Sequence, residues 1–364
     1  MKRLTFLSFA LIISAMLMFA GCTGSTKKEE NKPKDQVQKQ DNSVFLVQTT
    51  PPNMLKQLEA KEIDGFIAWE PFNSAAVNEG YGKYLFKSPD IWDDHPCCVV
   101  AVGENFKNPQ AIEAVTWAHV KATRFINDPA NKEKVVKYAA EFTGRDEAVV
   151  RQALENITYV EYPAKERFEE YYDSLVGGKL LKKSVQDVGF ADKDKFFSGF
   201  LNESVYQKVA GKLDQDPNWT PEAVPAAVKL RVGYLANDLH QLALWVAEKE
   251  GYYKNIGLEK GKNYEAKTFP NGVAVMEAFK AKDIDLAYLG GAPATLKRIN
   301  DNISIDVIAG ANNEGSALVV GSSGNINSVD DLKGKTIAVP GVGTVQYTLL
   351  EKALKNEGLR PVLK

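Results

Sequence analysis

Three stretches place oxygen- and nitrogen-bearing groups directly behind a short apolar run: Ala236-Asn237-Asp238-Leu239-His240, Gly290-Gly291-Ala292-Pro293 and Gly341-Val342-Gly343-Thr344. Glycine lets a ligand come close to the backbone, and a threonine at a helix start offers hydroxyl and amide to an oxyanion. Gly290, Gly291, Gly343 and Thr344 therefore have the chemistry of an anion cradle built from neutral donors. Thr49-Thr50 and Trp69-Glu70 also follow apolar runs. Thr50 adds a hydroxyl, and Trp69 is suited to wall an apolar tail. No Arg or Lys falls in these loops. The acids there, Asp238, Glu70 and Glu314, suit the ammonium of a zwitterion, and His240 at a helix start is a further donor. Each residue also has a plain structural role open to it: a tight turn for the glycines, capping for the acids, core packing for Trp69.

The spacing supports neither covalent nor metal chemistry. Cys22, Cys97 and Cys98 form no spaced thiolate cluster for zinc, and His95, His119 and His240 form no HExxH pair, so no metal is expected. No Ser/His/Asp or Cys/His arrangement emerges, and no catalytic residue is assigned. Gly341-x-Gly343 completes neither GxGxxG nor GxxxxGK[ST], which leaves no nucleotide loop and no cofactor. Cys97-Cys98 precedes Val99-Val100-Ala101-Val102, so both thiols are expected in a buried crossover strand. With 45 basic against 47 acidic residues the formal charge is -2, too little positive charge to grip nucleic acid.

The elements that must position these loops follow from periodicity. At ~150 residues per domain, 364 residues give about two domains. Leu230 to Leu235 reads as strand, His240 to Glu250 as helix, Tyr264 to Phe269 as strand and Gly272 to Ala281 as helix. Ile284 to Leu289 is strand, Ala292 to Asn300 helix and Ile303 to Ala309 strand. Strands alternating with short helices imply an α/β doubly wound sheet, which binds ligands outside the carboxyl ends of its strands. A second copy is split between distant parts of the chain: Lys335 to Val339 and the helix after Thr344 on one side, Val44 to Val47, Asn53 to Ala60 and Phe66 to Trp69 on the other. Ala60-Lys61-Glu62-Ile63-Asp64 parallels Ala281-Lys282-Asp283-Ile284-Asp285, each between a helix and a strand. The order is that of a circularly permuted two-lobed protein.

Lys2 and Arg3 before the apolar Leu4 to Ala20 form a signal peptide, residues 1–21. The junction Ala20-Gly21-Cys22 is similar to a bacterial lipobox, with Cys22 as the lipid attachment site. Residues 22–42 are polar and lysine-rich, a flexible tether. Lobe two takes residues 43–100 and 321–364, and lobe one residues 103–318, including a proline-rich linker at 216–228.

Taken in the order 229–364 then 43–215, the chain resembles the substrate-binding proteins of nitrate, sulfonate, taurine and bicarbonate ABC importers. The resemblance is carried by Leu230-Arg231-Val232-Gly233-Tyr234, Phe269-Pro270-Asn271-Gly272, Asp283-Ile284-Asp285-Leu286-Ala287-Tyr288 and Ser328-Val329-Asp330-Asp331-Leu332-Lys333-Gly334-Lys335. Ile63-Asp64-Gly65-Phe66-Ile67-Ala68-Trp69-Glu70-Pro71-Phe72 and Ala311-Asn312-Asn313-Glu314-Gly315-Ser316 add to it. Within the family it is most similar to the aliphatic sulfonate and taurine binders. The resemblance implies a type II periplasmic-binding-protein fold, two lobes with the ligand between them. The expected contacts are Asn237, His240, Gly290, Gly291, Ala292, Asn312, Glu314, Gly343, Thr344, Thr50, Trp69 and Glu70. It also implies a monomeric, lipid-anchored receptor on the extracytoplasmic face of the membrane, partnered by an ABC permease and its ATPase. Its solute would be a small anion or zwitterion. Nitrate, bicarbonate and a thiamine-pyrimidine precursor are alternative solutes. The rival from another class is an enzyme similar to the pyrimidine synthases of thiamine biosynthesis, whose cysteine-rich iron motif Cys97-Cys98 alone does not supply.

Overall fold

The computed structural model describes residues 42–364. The signal peptide, most of the tether and Cys22 lie outside the described residues. Among those described, no helix is long and apolar enough to cross a membrane.

The strands in chain order are β1 (Ser43–Gln48), β2 (Gly65–Trp69), β3 (Gly82–Lys87), β4 (Pro96–Gly103), β5 (Ile157–Tyr159) and β6 (Leu230–Leu235). They continue with β7 (Tyr264–Phe269), β8 (Leu286–Gly290), β9 (Ile305–Glu314), β10 (Ser316–Gly321), β11 (Thr336–Val339) and β12 (Arg360–Leu363). They form two sheets, ordered β12-β1-β11-β2-β10-β3 and β5-β9-β4-β8-β6-β7. In each, a run of parallel strands (β12, β1, β11, β2 and β7, β6, β8) is followed by one antiparallel strand, β10 or β4, that arrives from the other sheet. This is the two-lobed α/β architecture of a type II binding protein. Lys335 to Val339 does share a sheet with Val44 to Val47 and Phe66 to Trp69.

The two similar pentapeptides build the same device twice. Lys61 and Lys282 both take φ 60 at the end of a helix. The aspartate three residues on then clamps the parallel strand beside the one it leads into, β11 beside β2 and β6 beside β8. Asp64 Oδ2 accepts from the Thr336 amide at 2.8 Å, and Asp285 Oδ2 from the Arg231 amide at 2.9 Å.

The chain crosses between lobes at Ser88–His95 and at Gly315, before the strands β4 and β10 rather than at 100–103 and 318–321. Both strands are apolar and almost wholly buried, which in sequence resembles a crossover. They are in fact central strands, covered on both faces. Glu314 fastens the two crossings together: Ser88 Oγ donates to its carboxylate at 2.7 Å and the His95 amide at 3.2 Å. Residues 216–228 carry no helix or strand. They are strapped to lobe one by Trp117 Nε1 donating to the Trp219 carbonyl at 2.8 Å.

Candidate functional site

The carboxyl ends of β2, β6 and β8 and the turn after β11 converge on one interlobe pocket. Lobe one contributes Cys97, Cys98, Leu235, Asp238, His240, Gly272, Gly290 and Pro293; lobe two contributes Trp69, Thr344, Val345 and Gln346. The lobes stand closed on it, leaving a cavity of ≈ 10 Å³ for water centres, about one water. Bonds across the cleft hold this state. Asn271 Nδ2 donates to the Pro340 carbonyl at 3.0 Å, and the Leu239 amide to the Glu70 carbonyl at 3.1 Å.

Of the expected contacts, His240, Gly290, Trp69 and Thr344 meet in this pocket. Trp69 is buried, and its indole N–H has no protein partner. Thr344 begins the helix Val345–Asn356; its hydroxyl accepts from the Tyr347 amide at 3.3 Å and donates to the Gly341 carbonyl at 2.7 Å. Helix capping thus uses the hydroxyl, and the free amides of the first turn remain for an anion.

The other expected contacts are placed elsewhere. Asn237 and Thr50 are exposed outside the pocket. Ala292 is buried in the helix Gly291–Asn300, and a Cβ on Gly291 would lie 2.7 Å from the Phe168 ring. Gly343 has φ 80, and its Cα faces Leu296 of lobe one, which a Cβ would meet at 2.2 Å. Asn312 is locked in β9, accepting from the Cys98 amide at 3.1 Å. Glu314 belongs to the crossings, where burial pushes its carboxyl up to about 7. Glu70 turns away from the cleft and accepts from Asn156 Nδ2 at 2.7 Å and from the Ser74 amide and hydroxyl at 3.0 Å. Burial raises its pKa against those bonds. Its bonds to Ser74 and Asn156 explain why a buried acid sits there without touching the pocket.

Cys97, Cys98, Val345 and Gln346 line the site although none was an expected contact, and Asp238, read in the sequence only as an acid suited to an ammonium, lines it too. The expectation that the cysteines and histidines stay apart does not hold. Adjacent strand residues normally face opposite ways. The register of β4 on β9 shifts on both sides of Cys98, a bulge that turns both thiols toward one imidazole. Cys97 Sγ lies 3.3 Å and Cys98 Sγ 3.9 Å from His240 Nδ1, across 143 and 142 residues of sequence. Asp238 Oδ1 is 3.6 Å from the same nitrogen, and His240 Nε2 lies 3.0 Å from the Gly315 carbonyl. Burial opposes charge on His240, but Cys97, Asp238 and the Gly315 carbonyl outweigh it and raise it to about 9. Burial likewise opposes a Cys97 thiolate, yet Cys98 and His240 draw its pKa well down. Asp238 is pushed up to about 7 by burial, with His240 acting against the shift. The adjacent pair Cys97-Cys98 was the only linear signal, and the bulge that makes it count is not written in residue types.

Comparison with known proteins gives two family matches, an NMT1-like family over residues 32–140 and an NMT1/THI5-like family over residues 240–362. A nitrate/nitrite binding protein (NrtA) of Nostoc sp. is 22% identical over 50% of this chain and 43% of its own. The taurine-binding periplasmic protein of Escherichia coli is 30% identical over 28% of this chain and 32% of its own. A nitrate import ATP-binding protein (NrtC) of Synechocystis sp. is 33% identical over 28% of this chain and 15% of its own. The chain spans less than half the length of each of these relatives.

Proposed function

The chain belongs to the nitrate-, sulfonate- and taurine-type family of substrate-binding proteins, and from that premise we propose that it is the solute receptor of an ABC importer, closing on a small organic anion such as an aliphatic sulfonate or taurine. It is a binding protein rather than an enzyme. The observation that carries the solute class is the pairing, across one pocket, of unspent neutral donors with apolar walls. The Trp69 indole N–H has no partner among the described residues, and Trp69 lines the same pocket as Thr344, with Leu235, Pro293 and Val345 as apolar walls. Nitrate or bicarbonate would leave those apolar walls without a role, whereas an alkyl tail fills them. Among the described residues no Lys or Arg lines the pocket, so the head group is held by amides and the indole. The closed cavity admits about one water, so binding proceeds through hinge opening at the two crossings.

In this reading Cys22 is the lipid attachment site, and residues 22–42 tether a monomeric body to the extracytoplasmic face of the membrane. The permease and its ATPase are its partners. Thermal-shift screening of the mature protein against taurine, alkanesulfonates, nitrate, bicarbonate and pyrimidines tests the solute class, because a ligand selective for the folded state raises Tm. A shift with sulfonates or taurine supports it; a shift with nitrate alone overturns it.

A further inference from the structure

Three potential metal-binding groups, Cys97, Cys98 and His240, surround one point on the lobe-one wall of the cleft, with Asp238 Oδ1 3.6 Å from His240 Nδ1, and the proposed solute chemistry uses none of the thiols. An ion bound tetrahedrally at Zn–S of about 2.3 Å and Zn–N of about 2.0 Å holds its sulfur and nitrogen ligands about 3.6 Å apart. The Sγ–Nδ1 separations of 3.3 and 3.9 Å bracket that value. The three ligand atoms of Cys97, Cys98 and His240 all lie within 4.8 Å of one another, and all three residues are buried.

We propose that Cys97, Cys98 and His240 bind a thiophilic d10 metal ion, zinc(II) or copper(I), in the wall of the cleft. Two features beyond the cluster itself support this. The first is the orientation of the imidazole. His240 Nε2–H donates to the Gly315 carbonyl, so in the loaded site the lone pair is on Nδ1, aimed between the thiols. Gly315 has φ 83, and a Cβ there would lie 2.2 Å from Nε2, so the carbonyl's close approach depends on glycine. The second is the bulge in β4. It is pinned by the Asn312 side chain, which accepts from the Cys98 amide, and only this break in the pleat brings neighbouring thiols to one side. Two sulfurs and one nitrogen select a soft ion over magnesium or calcium. Copper(I) is served by the three ligands, and zinc(II) takes Asp238 as the fourth. On binding, the protons held by the thiols and by Nδ1 pass to solvent. The ion enters by the same open cleft as a solute, and the site stands whether or not the solute assignment does.

The test uses the reduced full-length protein, titrated anaerobically with zinc chloride and, separately, with copper(I) in competition with a chromophoric chelator. One equivalent should bind and should protect Cys97 and Cys98 from alkylation, mapped by peptide mass so that Cys22 is scored separately. Cys97→Ser/Cys98→Ser and His240→Asn should each weaken binding at least a hundredfold. Melting curves check their folding, and the alkylation of the unmutated protein stands independently of any variant. Tighter binding of zinc that is lost in Asp238→Asn assigns zinc; tighter binding of copper that is indifferent to Asp238→Asn assigns copper. Absence of binding by either ion, thiols alkylated equally with and without metal, or full affinity in the double serine variant overturns the proposal.

Discussion

Trp69 brings the only indole to the cleft, and its N–H is a buried donor without a partner. Trp69→Phe keeps a ring there and removes only that donor. Because nothing in the ligand-free protein depends on the N–H, its Tm should hold, whereas a lost hydrogen bond to a charged head group costs about 1.5 to 3 kcal/mol, roughly ten- to a hundredfold in affinity. Calorimetric titration with the best solute from the screen measures this, and unchanged affinity would move the head group away from the indole. His119 shows a different residue-scale effect. It is buried in the helix Pro109–Asn127, with Nδ1 2.9 Å from the Tyr288 hydroxyl and Nε2 2.5 Å from the Gly310 carbonyl. Burial lowers it from 6.5 to about 4, so between those values the unfolded chain takes up a proton that the native protein refuses. The stability tied to this ring is therefore complete above about pH 6.5 and drains away as pH falls toward 4, by roughly 3 kcal/mol in all. Urea unfolding at pH 7.5 and 4.5 should show a smaller loss for His119→Gln than for the unmutated protein; equal losses would disprove it. The sequence does not show how deeply His119 is buried, because its partners Gly310 and Tyr288 come from strands far along the chain.

At the scale of elements, the strand–turn–helix junctions were legible and the partners across the cleft were not. The helix starts at Thr344 and Gly291 and the left-handed glycines at 251 and 358 follow from local chemistry. What faces each turn depends on the opposite lobe. Gly290 has no positive φ, yet a Cβ there would stand 2.9 Å from Val345 Cγ2 of lobe two and 3.2 Å from Pro293 Cδ. Its missing side chain is room for the other lobe in the closed state. Gly290→Ala should therefore bias the hinge open, with overpacking of about 1 to 3 kcal/mol giving roughly a five- to hundredfold shift in the open-to-closed ratio. Spin labels on the two lobes report the distance distribution, and adding Val345→Ala should restore closure. A closed population unchanged by Gly290→Ala would show that the contact yields without opening the cleft. Short strands such as β5 escaped the sequence reading because three residues carry too little periodicity to distinguish from loop.

For the whole molecule, the doubled pentapeptide made the permuted order legible, since the same Asp-to-strand clamp recurs in each lobe. The crossings were misplaced for the reason given by burial: central strands and crossover segments are apolar alike. The permuted order also sets a schedule. β11 lies between β1 and β2, and the bond from the Val342 amide to Gln48 Oε1 spans 294 residues. During synthesis β1, β2 and β3 emerge first and have no centre to their sheet, while lobe one, from β4 to β9, can pack as a continuous chain. A nascent chain stalled with Ile326 just clear of the ribosome should protect lobe one from protease and leave residues 43–48 cleavable, since β10 can already pair with β2 and β3 but β1 has no neighbour. Extending it past Leu363 should protect both, and protection of residues 43–48 without β11 would refute the schedule. β11, made late, is thus what gives β1, made early, its place in a sheet, and until it emerges the two strands that will flank it have no partner between them.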